Sequence, residues 1–273
     1  MKKFAKLAIV LALALTLVIG VTACGSDDEK TDKTYVAAME ATFPPFDTTN
    51  KDGDLDGFDY ALINAIAKDQ GLKVEWKKME FDGLIPALKS GNIDIIASGL
   101  SITDERKEEV DFSDSYYDSG LLVAVIKDSK ITSIDDLGKN SIVGVQIGTS
   151  GAKKAESLKK DGKIGKVKTY NGLDVAFKDL ENGGIDAIIN DKPVTDNYVS
   201  KSSDKVKTVG DVIDADSYGI AVKKGETALL EKINAGLKNL KDNGKYDELI
   251  KKLDTWKQKE LTQIGRASCR ERV

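Results

Sequence analysis

Short apolar runs alternate with amphipathic segments along most of this chain. Apolar runs of roughly four to eight residues predict buried strands, and apolar residues at helical spacing predict helices. The predicted strands cover residues 35–39, 74–79, 93–97, 124–126, 141–146, 167–170, 185–189 and 218–222. The predicted helices cover residues 58–69, 81–89, 152–160, 174–181, 227–240 and 246–256. This alternation favours an α/β fold with mostly parallel sheets flanked by helices.

One helix–strand unit occurs twice. Residues 88–98 read LKSGNIDIIAS, and residues 180–190 read LENGGIDAIIN. Ser98–Gly99 therefore follows one predicted strand, and Asn190–Asp191 follows its counterpart. Ligands of open α/β sheets bind beyond the carboxyl ends of strands, so two such ends would face each other across a cleft between two lobes. The alternative is a coincidental similarity between two ordinary strand–helix–strand units.

A single arginine follows the first of these strands. Arg106 is the only arginine before residue 266 in a chain rich in lysine. It lies near the start of a predicted short helix whose expected N-cap is Thr103. A planar guanidinium binds a carboxylate through two hydrogen bonds, which an ammonium group does not do. Arg106 is therefore a candidate carboxylate-binding residue, and an ordinary surface ion pair is the alternative.

The beginning of the chain has the pattern of a secretory signal. Three lysines precede an apolar run over residues 7–19, which is short for a membrane span. Residues 1–23 are therefore predicted to be a signal peptide. The sequence VTAC at its end resembles a bacterial lipobox, so Cys24 would be lipidated, and two acyl chains suffice for stable anchoring. Residues 24–33 would form a flexible tether. An unlipidated signal with a coincidental cysteine is the alternative.

The end of the chain differs in composition from the rest. Three of the four arginines and the second cysteine lie within residues 266–272. This abrupt change predicts that residues 260–273 are a non-native tail outside the fold. The formal net charge is −4; without the three leader lysines it is −7, and without the three arginines and one glutamate of residues 264–273 as well it is −9. A body this acidic is not expected to bind nucleic acid.

The residues of several common catalytic and metal sites are missing from the sequence. The chain has no histidine, and its two cysteines stand at positions 24 and 269. This composition argues against histidine-assisted nucleophiles, thiol catalysis and most zinc sites. No phosphate-loop motif occurs, and the acidic turn over residues 52–57 lacks the closing glutamate of a calcium loop. We therefore expect no metal and no cofactor.

The remaining polar residues suit a zwitterionic ligand. The lone arginine, with backbone N–H groups near Ser101 and Thr149–Ser150, would bind a carboxylate, since free N–H groups at a helix start suit an anion. Asp191 would bind an ammonium group. Phe43 and Phe81 would enclose an apolar part of the ligand. Core packing for each phenylalanine and a turn-capping role for Asp191 are the alternatives.

Eight short motifs, taken together, resemble those of a known protein family. In chain order they are EATFPPF at 40–46, GFD at 57–59, FDGLIPAL at 81–88, SITDER at 101–106, DFSD at 111–114, YY at 116–117, VGVQIGT at 143–149 and ND at 190–191. Over about residues 34–256 the chain resembles the polar amino-acid-binding proteins of ABC importers, the glutamine- and arginine-binding family. The resemblance implies a two-lobed, periplasmic-binding-protein-like type II fold with a two-segment hinge near residues 116–120 and 210–214. Lobe 1 would then cover residues 34–117 and 213–259, and lobe 2 residues 118–212.

The resemblance also implies roles for the site residues. Arg106 would bind the α-carboxylate of the ligand, and Asp191 its α-ammonium group. The aromatic walls would be Phe43 and Phe81. Backbone and hydroxyl contacts would come from Gly99 and Ser101.

The far end of the ligand would meet Glu40, Ser98, Gln146 and Asn190. Glu40 with Gln146 is similar to the arginine-binding members, and a carboxylate suits a guanidinium. The turn that begins at Asn190 is closer to the glutamine binders. The resemblance therefore implies a polar or basic L-amino acid, with arginine slightly ahead of glutamine.

The implied function is that of a receptor rather than an enzyme. The lobes would close on a free L-amino acid and deliver it to the permease subunits of an ABC transporter. The protein would be a monomer, lipid-anchored at Cys24 on the extracytoplasmic face of the cell membrane of a Gram-positive bacterium. One alternative is a cyclohexadienyl-dehydratase-like lyase with Glu40 as general acid. Another is a ligand-gated receptor domain.

Overall fold

The computed structural model describes residues 33–253 and Trp256. Strands and helices alternate along this part of the chain, as predicted. The strands are β1 (Thr34–Met39), β2 (Thr48–Thr49), β3 (Leu55–Asp56), β4 (Lys73–Lys78), β5 (Ile95–Ile96), β6 (Val110–Phe112), β7 (Tyr117–Ile126), β8 (Ile142–Gln146), β9 (Lys166–Tyr170), β10 (Ala187–Asp191), β11 (Val206–Tyr218) and β12 (Ala221–Lys223). The helices are α1 (Phe58–Gln70), α2 (Phe81–Ser90), α3 (Asp104–Glu109), α4 (Ser150–Lys160), α5 (Leu173–Glu181), α6 (Lys192–Lys201) and α7 (Thr227–Asp242). Residues 245–253 are also helical, and Ile134–Asp136 forms a 3₁₀ turn.

A five-stranded sheet lies at the centre of each lobe. The first sheet has the order β4-β1-β5-β12-β6, and the second has the order β11-β7-β10-β8-β9. In each sheet four strands run in one direction and one strand runs against them, β12 in the first sheet and β7 in the second. The predicted α/β fold with mostly parallel sheets is therefore confirmed.

Two segments pass between the sheets. One contains β6 and β7, and the other contains β11 and β12. Each segment gives one strand to each sheet. In both segments the strand that runs against the others, β7 or β12, is the strand that follows the crossing. β7 and β11 pair antiparallel over most of their length, with register shifts on either side of Ile213. The segments predicted as hinge, residues 116–120 and 210–214, lie along this pair of strands.

Packing of helices on the sheets fixes the strand ends that carry the site. In the first lobe α1 and α7 bury Leu62, Ile66, Ile233 and Leu237 almost completely. Burying each such side chain contributes roughly 1.5–3 kcal/mol relative to exposure. α1 ends at Gly71, which adopts a left-handed conformation with φ 63°.

Several elements differ from the sequence prediction, including the short strands β2, β3 and β6, which it did not contain. α6 was not predicted, because Pro193 reads as a helix breaker although the first turn of a helix tolerates proline. β11 was not predicted either, since most of its side chains are exposed or half-buried and it lacks a clear apolar pattern. The predicted strand over residues 218–222 is divided between β11 and β12. At the break the Gly219 N–H donates to the carbonyl oxygen of Leu100 at 3.1 Å.

Within residues 33–253, no helix combines the length and apolar character needed to cross a bilayer. The predicted signal peptide, the predicted lipidation at Cys24, the tether before Lys33 and the tail over residues 260–273 lie outside the described residues.

Candidate ligand-binding site

The predicted site residues lie at strand ends and helix starts in both lobes. Glu40, Phe43, Phe81, Ser98, Gly99, Ser101 and Arg106 belong to the first lobe, and Gln146, Thr149, Ser150, Asn190 and Asp191 belong to the second. Two hydrogen bonds from α6 to residues 42–44 join the lobes beside these residues. Tyr198 Oη donates to the Thr42 carbonyl oxygen at 3.0 Å, and Asn197 Nδ2 donates to that of Pro44 at 3.1 Å. The two lobes are therefore in contact around the site.

Arg106 projects from α3 toward the second lobe. Its backbone N–H donates to Thr103 Oγ1 at 3.2 Å, so the predicted N-cap is confirmed. Nη1 donates to the carbonyl oxygen of Ser101 at 2.9 Å, and Nη2 donates to that of Gly148 at 3.1 Å. The guanidinium carbon lies 5.6 Å from the centre of the Phe81 ring, within the range of a cation–π contact. Arg106 therefore has a fixed orientation.

Within the described residues, no carboxylate forms a salt bridge with the Arg106 guanidinium. The residue is only 9% exposed. Burial lowers the pKa of its guanidinium, while the charges of Asp191 and Asp216 act in the opposite direction. In residues 33–253 no aspartate or glutamate forms a salt bridge with it, so the alternative of an ordinary surface ion pair is wrong. A buried guanidinium held only by carbonyl oxygens suits an incoming carboxylate.

Asp191 is the corresponding acidic group of the second lobe. It is 5% exposed, and its Oδ2 accepts a hydrogen bond from Tyr218 Oη at 2.8 Å. Burial raises the pKa of Asp191 to about 7, with a further contribution from the charge of Asp216 and an opposing one from Arg106. Its side chain makes no capping hydrogen bond to α6, so the turn-capping alternative is wrong.

Glu40 and Gln146 meet at the interface between the lobes. Gln146 Nε2 donates to the Asn171 carbonyl oxygen at 2.8 Å and lies 3.4 Å from Glu40 Oε2. The backbone N–H and hydroxyl of Thr42 donate to the Glu40 carboxylate, each at 3.0 Å. Burial raises the pKa of Glu40, and the hydrogen bonds from Thr42 and Gln146 limit that rise. Ser98 Oγ accepts the Glu40 backbone N–H at 2.9 Å, which ties the two first-lobe strand ends together.

The two phenylalanines have different surroundings. Phe43 is buried in the core of the first lobe, as the core-packing alternative expected, and its ring also lies against Gly99. Gly99 has φ 50°, and a Cβ there would lie 2.5 Å from Phe43 Cε1. Only glycine therefore fits this turn without movement of the ring. Phe81 is half-buried and faces Arg106.

Two second-lobe residues, Thr149 and Asn190, use their side chains within the lobe. Thr149 Oγ1 donates to the Gln146 carbonyl oxygen at 2.7 Å and accepts the Ala152 N–H at 3.1 Å as the N-cap of α4. Asn190 Nδ2 is directed toward Thr195 Oγ1 at 3.3 Å. In contrast, Ser150 Oγ is buried without a hydrogen-bond partner among the described residues. The α4 start thus offers backbone N–H groups and the Ser150 hydroxyl rather than the Thr149 side chain.

A groove of about 450 Å³ opens beside Arg106, between α3 and α4. Its lining includes Thr103, Gly148, Thr149 and Ser150. The guanidinium and the start of α4 therefore border the same opening. The described residues contain no cluster of three or more His, Cys, Asp or Glu placed to hold a metal ion.

A second set of buried polar groups lies near the site and was not predicted from the sequence. Asp59 Oδ2 accepts the Gly99 N–H at 2.7 Å and the Tyr116 hydroxyl at 2.8 Å, beneath the binding turn. Asp47 is fully buried next to Asp59 and Ser98, and within the described residues neither of its oxygens makes a hydrogen bond of normal geometry. The GFD motif marked Asp59, but nothing in the sequence indicated that Asp47 lies beside it. Tyr218 and Asp216, next to Asp191, were also missed, because the chain between residues 201 and 218 has no clear pattern.

A two-lobed α/β fold with a buried cation and a buried acid near the meeting edges of its lobes defines a protein that encloses a small ligand. The family model described as bacterial extracellular solute-binding proteins, family 3, matches residues 35–254. The chain belongs to this family, and the resemblance drawn from its motifs is confirmed.

The chain is similar to one relative and two solved structures of amino-acid-binding proteins. A probable histidine-binding protein of Neisseria gonorrhoeae is 37% identical over 222 residues, which cover 81% of this chain and 82% of that protein. The structure of an ancestral arginine-binding protein bound to arginine is 44% identical, with a TM-score of 0.77 and coverage of 81% and 97% of the two chains. The structure of an ancestral arginine-binding protein bound to glutamine is 43% identical, with a TM-score of 0.75 and the same coverage.

Proposed function

We propose that this protein binds a free polar or basic L-amino acid between its lobes. The observation that carries the proposal is the buried Arg106 guanidinium, which has no acidic partner in the described residues and stands opposite the buried Asp191. Burying two charges that do not pair directly is costly unless a ligand supplies the missing partners. An α-amino acid carries both partners on one carbon atom.

The α-carboxylate binds Arg106 and the backbone N–H groups near Ser101, Thr149 and Ser150. The α-ammonium group binds Asp191. Support comes from the orientation of Arg106, which its bonds to the Ser101 and Gly148 carbonyl oxygens fix. Phe43, Phe81 and the turn at Gly99 border the ligand on the first-lobe side.

The side chain of the ligand points toward Glu40 and Gln146, with Ser98 and Asn190 nearby. The buried Glu40 carboxylate favours a cationic group, and the partnerless Gln146 Oε1 accepts a hydrogen bond from a guanidinium or an amide. We therefore place L-arginine ahead of L-glutamine. The names of the relatives, which include histidine, arginine and glutamine binders, are consistent with this range.

The bound amino acid is delivered to the permease subunits of an ABC transporter. The two lobes, residues 34–117 with 213–259 and residues 118–212, close about the paired strands β7 and β11. The protein acts as a monomer, anchored through a lipidated Cys24 on the extracytoplasmic face of a Gram-positive cell membrane after removal of residues 1–23. Substitution of Cys24 by serine, followed by fractionation of the expressing cells, tests the anchor, because the variant should leave the membrane fraction.

A thermal-shift screen of the purified protein against the twenty amino acids tests the binding function. A tight ligand stabilises the folded state by mass action, by about 2.7 kcal/mol at one hundred times its Kd. We expect L-arginine or L-glutamine to give the largest shift. No shift with any amino acid, together with turnover of prephenate, would favour the lyase alternative with Glu40 as the acid.

A further inference from the structure

Asp216 is an acidic residue that lies near both Arg106 and Asp191. It lies on β11 two residues before Tyr218, so both side chains project from the same face of the strand. Tyr218 Oη reaches Asp191 at 2.8 Å. The strand therefore directs the Asp216 carboxylate to the side of the site that contains Asp191.

The neighbouring backbone places Asp216 against the turn before α3. The Ile102 N–H donates to the Ser217 carbonyl oxygen at 2.8 Å, and Ser101 forms an isolated bridge with Tyr218. The Ser101 side chain lies close to the Asp216 carboxylate and lowers its pKa against the effect of burial. A Ser101 hydroxyl that turns its one proton toward this carboxylate presents only lone pairs to the site.

One oxygen of Asp216 has no partner in the described part of the chain. Asp216 Oδ1 is buried and makes no hydrogen bond to residues 33–253, although the residue as a whole is half-buried. The charged groups around it are Asp191 and Arg106, with Asp214 on the same strand. Asp214 is itself exposed and paired with Lys154 at 3.0 Å. The orphan oxygen therefore lies among the groups that would hold the two charges of an amino acid.

We propose that Asp216 is a second acidic residue of the ammonium subsite, acting with Asp191 directly through Oδ1 and indirectly by orienting the Ser101 hydroxyl as an acceptor. This inference rests on the proposed amino-acid-binding function and deepens it. An ammonium group has three donors. Asp191, Asp216 and Ser101 Oγ supply three acceptors.

The same arrangement bears on the substrate class. Arg106 brings one positive charge to the site, and Asp191, Asp216 and Glu40 bring three negative charges when all are ionised. A ligand with a net positive charge balances this excess better than a neutral zwitterion. The second carboxylate therefore favours dibasic over neutral amino acids.

The test compares ligands with and without the α-ammonium group. Calorimetry measures the affinity of the wild-type protein, of Asp216→Asn and of Asp211→Asn for L-arginine and 5-guanidinopentanoate, and for L-glutamine and 4-carbamoylbutanoate. Asp211 is an exposed acid on the same strand and serves as the matched control. We expect D216N to weaken the amino acids at least tenfold and to change the affinity for the two desamino acids less than twofold. D211N should resemble the wild type.

A second readout applies even where the desamino acids bind too weakly to measure. The charge of Asp216 raises the pKa of Asp191, so its removal should move the midpoint of the pH dependence of L-arginine binding to lower pH. An unchanged amino-acid affinity, an equal loss for both kinds of ligand, or an unmoved midpoint would overturn the inference. D216S provides the same comparison if D216N unfolds. A wild-type protein that binds no amino acid would instead overturn the proposed function itself.

Discussion

Nη2 of Arg106 lies 3.1 Å from the carbonyl oxygen of Gly148, so a first-lobe side chain is hydrogen-bonded to the second-lobe backbone. The same guanidinium has no acidic partner in the described part of the chain. A ligand carboxylate would therefore bind to a group that already bridges the lobes. Under the proposed function, ligand binding would therefore favour the arrangement in which the lobes are in contact, because that arrangement offers both sets of partners.

Replacing Arg106 by lysine should weaken amino-acid binding by about 2 kcal/mol or more, roughly 30-fold, because a point charge replaces a planar pair of donors. Lysine also loses one of the two bonds to the Ser101 and Gly148 carbonyl oxygens. Calorimetry measures the loss. Lys107→Gln, on the exposed side of α3, should bind like the wild type. An Arg106→Lys variant with wild-type affinity would show that Arg106 is not the carboxylate-binding residue.

Replacing Glu40 by glutamine should weaken L-arginine binding much more than L-glutamine binding. Among the described residues the buried Glu40 carboxylate accepts hydrogen bonds from Thr42 and Gln146 and forms no salt bridge, so a ligand guanidinium would be its cationic partner. We expect about tenfold or more for arginine and a few-fold for glutamine. Titration of both ligands into Glu40→Gln measures the difference, with the exposed Glu75→Gln as control. Equal losses for the two amino acids would remove Glu40 from the specificity determinants.

Ligand affinity should rise with pH between about 6 and 8. The pKa of Asp191 in the free site is about 7, above the usual value because of burial and the charge of Asp216. A bound ammonium group favours the ionised carboxylate, so binding releases a proton, and protonation below pH 7 opposes it. The affinity at pH 6 should be about tenfold lower than at pH 8. Calorimetry in buffers of different ionisation enthalpy measures the proton release, and uptake of a proton would contradict this assignment.

The free energy of unfolding should fall as pH rises through the range set by the buried Asp47 and Asp59 pair. Burial raises the pKa of Asp59 to about 6 and that of Asp47 well above its usual range, where the charge of Asp59 adds to the effect. The native state therefore binds protons more tightly than the unfolded state, and the stability present at pH 4 is lost as pH rises through 6 and beyond.

Asp47→Asn removes one of these two ionisable groups. It should be more stable than the wild type at pH 8, by about 1–3 kcal/mol, and closer to it at pH 5. Urea unfolding at several pH values measures this, with the exposed Asp52→Asn as control. A pH profile parallel to that of the wild type would show that the two carboxyl groups titrate independently of folding.

Much of the fold could be predicted because its signals are local. Apolar periodicity located β1, β4, β8, β9 and helices α1, α2, α5 and α7 to within a few residues. α1 ends at Gly71, whose left-handed conformation is the one that glycine favours after a helix. β11 gave no such signal, because a strand that crosses between lobes is only partly buried and carries polar residues on both faces.

The sequence by itself determined the order of elements, the single body arginine, the repeated Ile-Asp strand and the motifs that place the chain in its family. Those features depend on neighbours along the chain. Tertiary structure alone decided that Tyr218 contacts Asp191, that Asp59 supports Gly99 and that Asp216 lies near both charged groups of the site. The residues of the first pair are 27 positions apart along the chain, and those of the second pair are 40 positions apart. The contact between Tyr218 and Asp191 depends on the register of β7 against β10 and β11, which no local periodicity specifies.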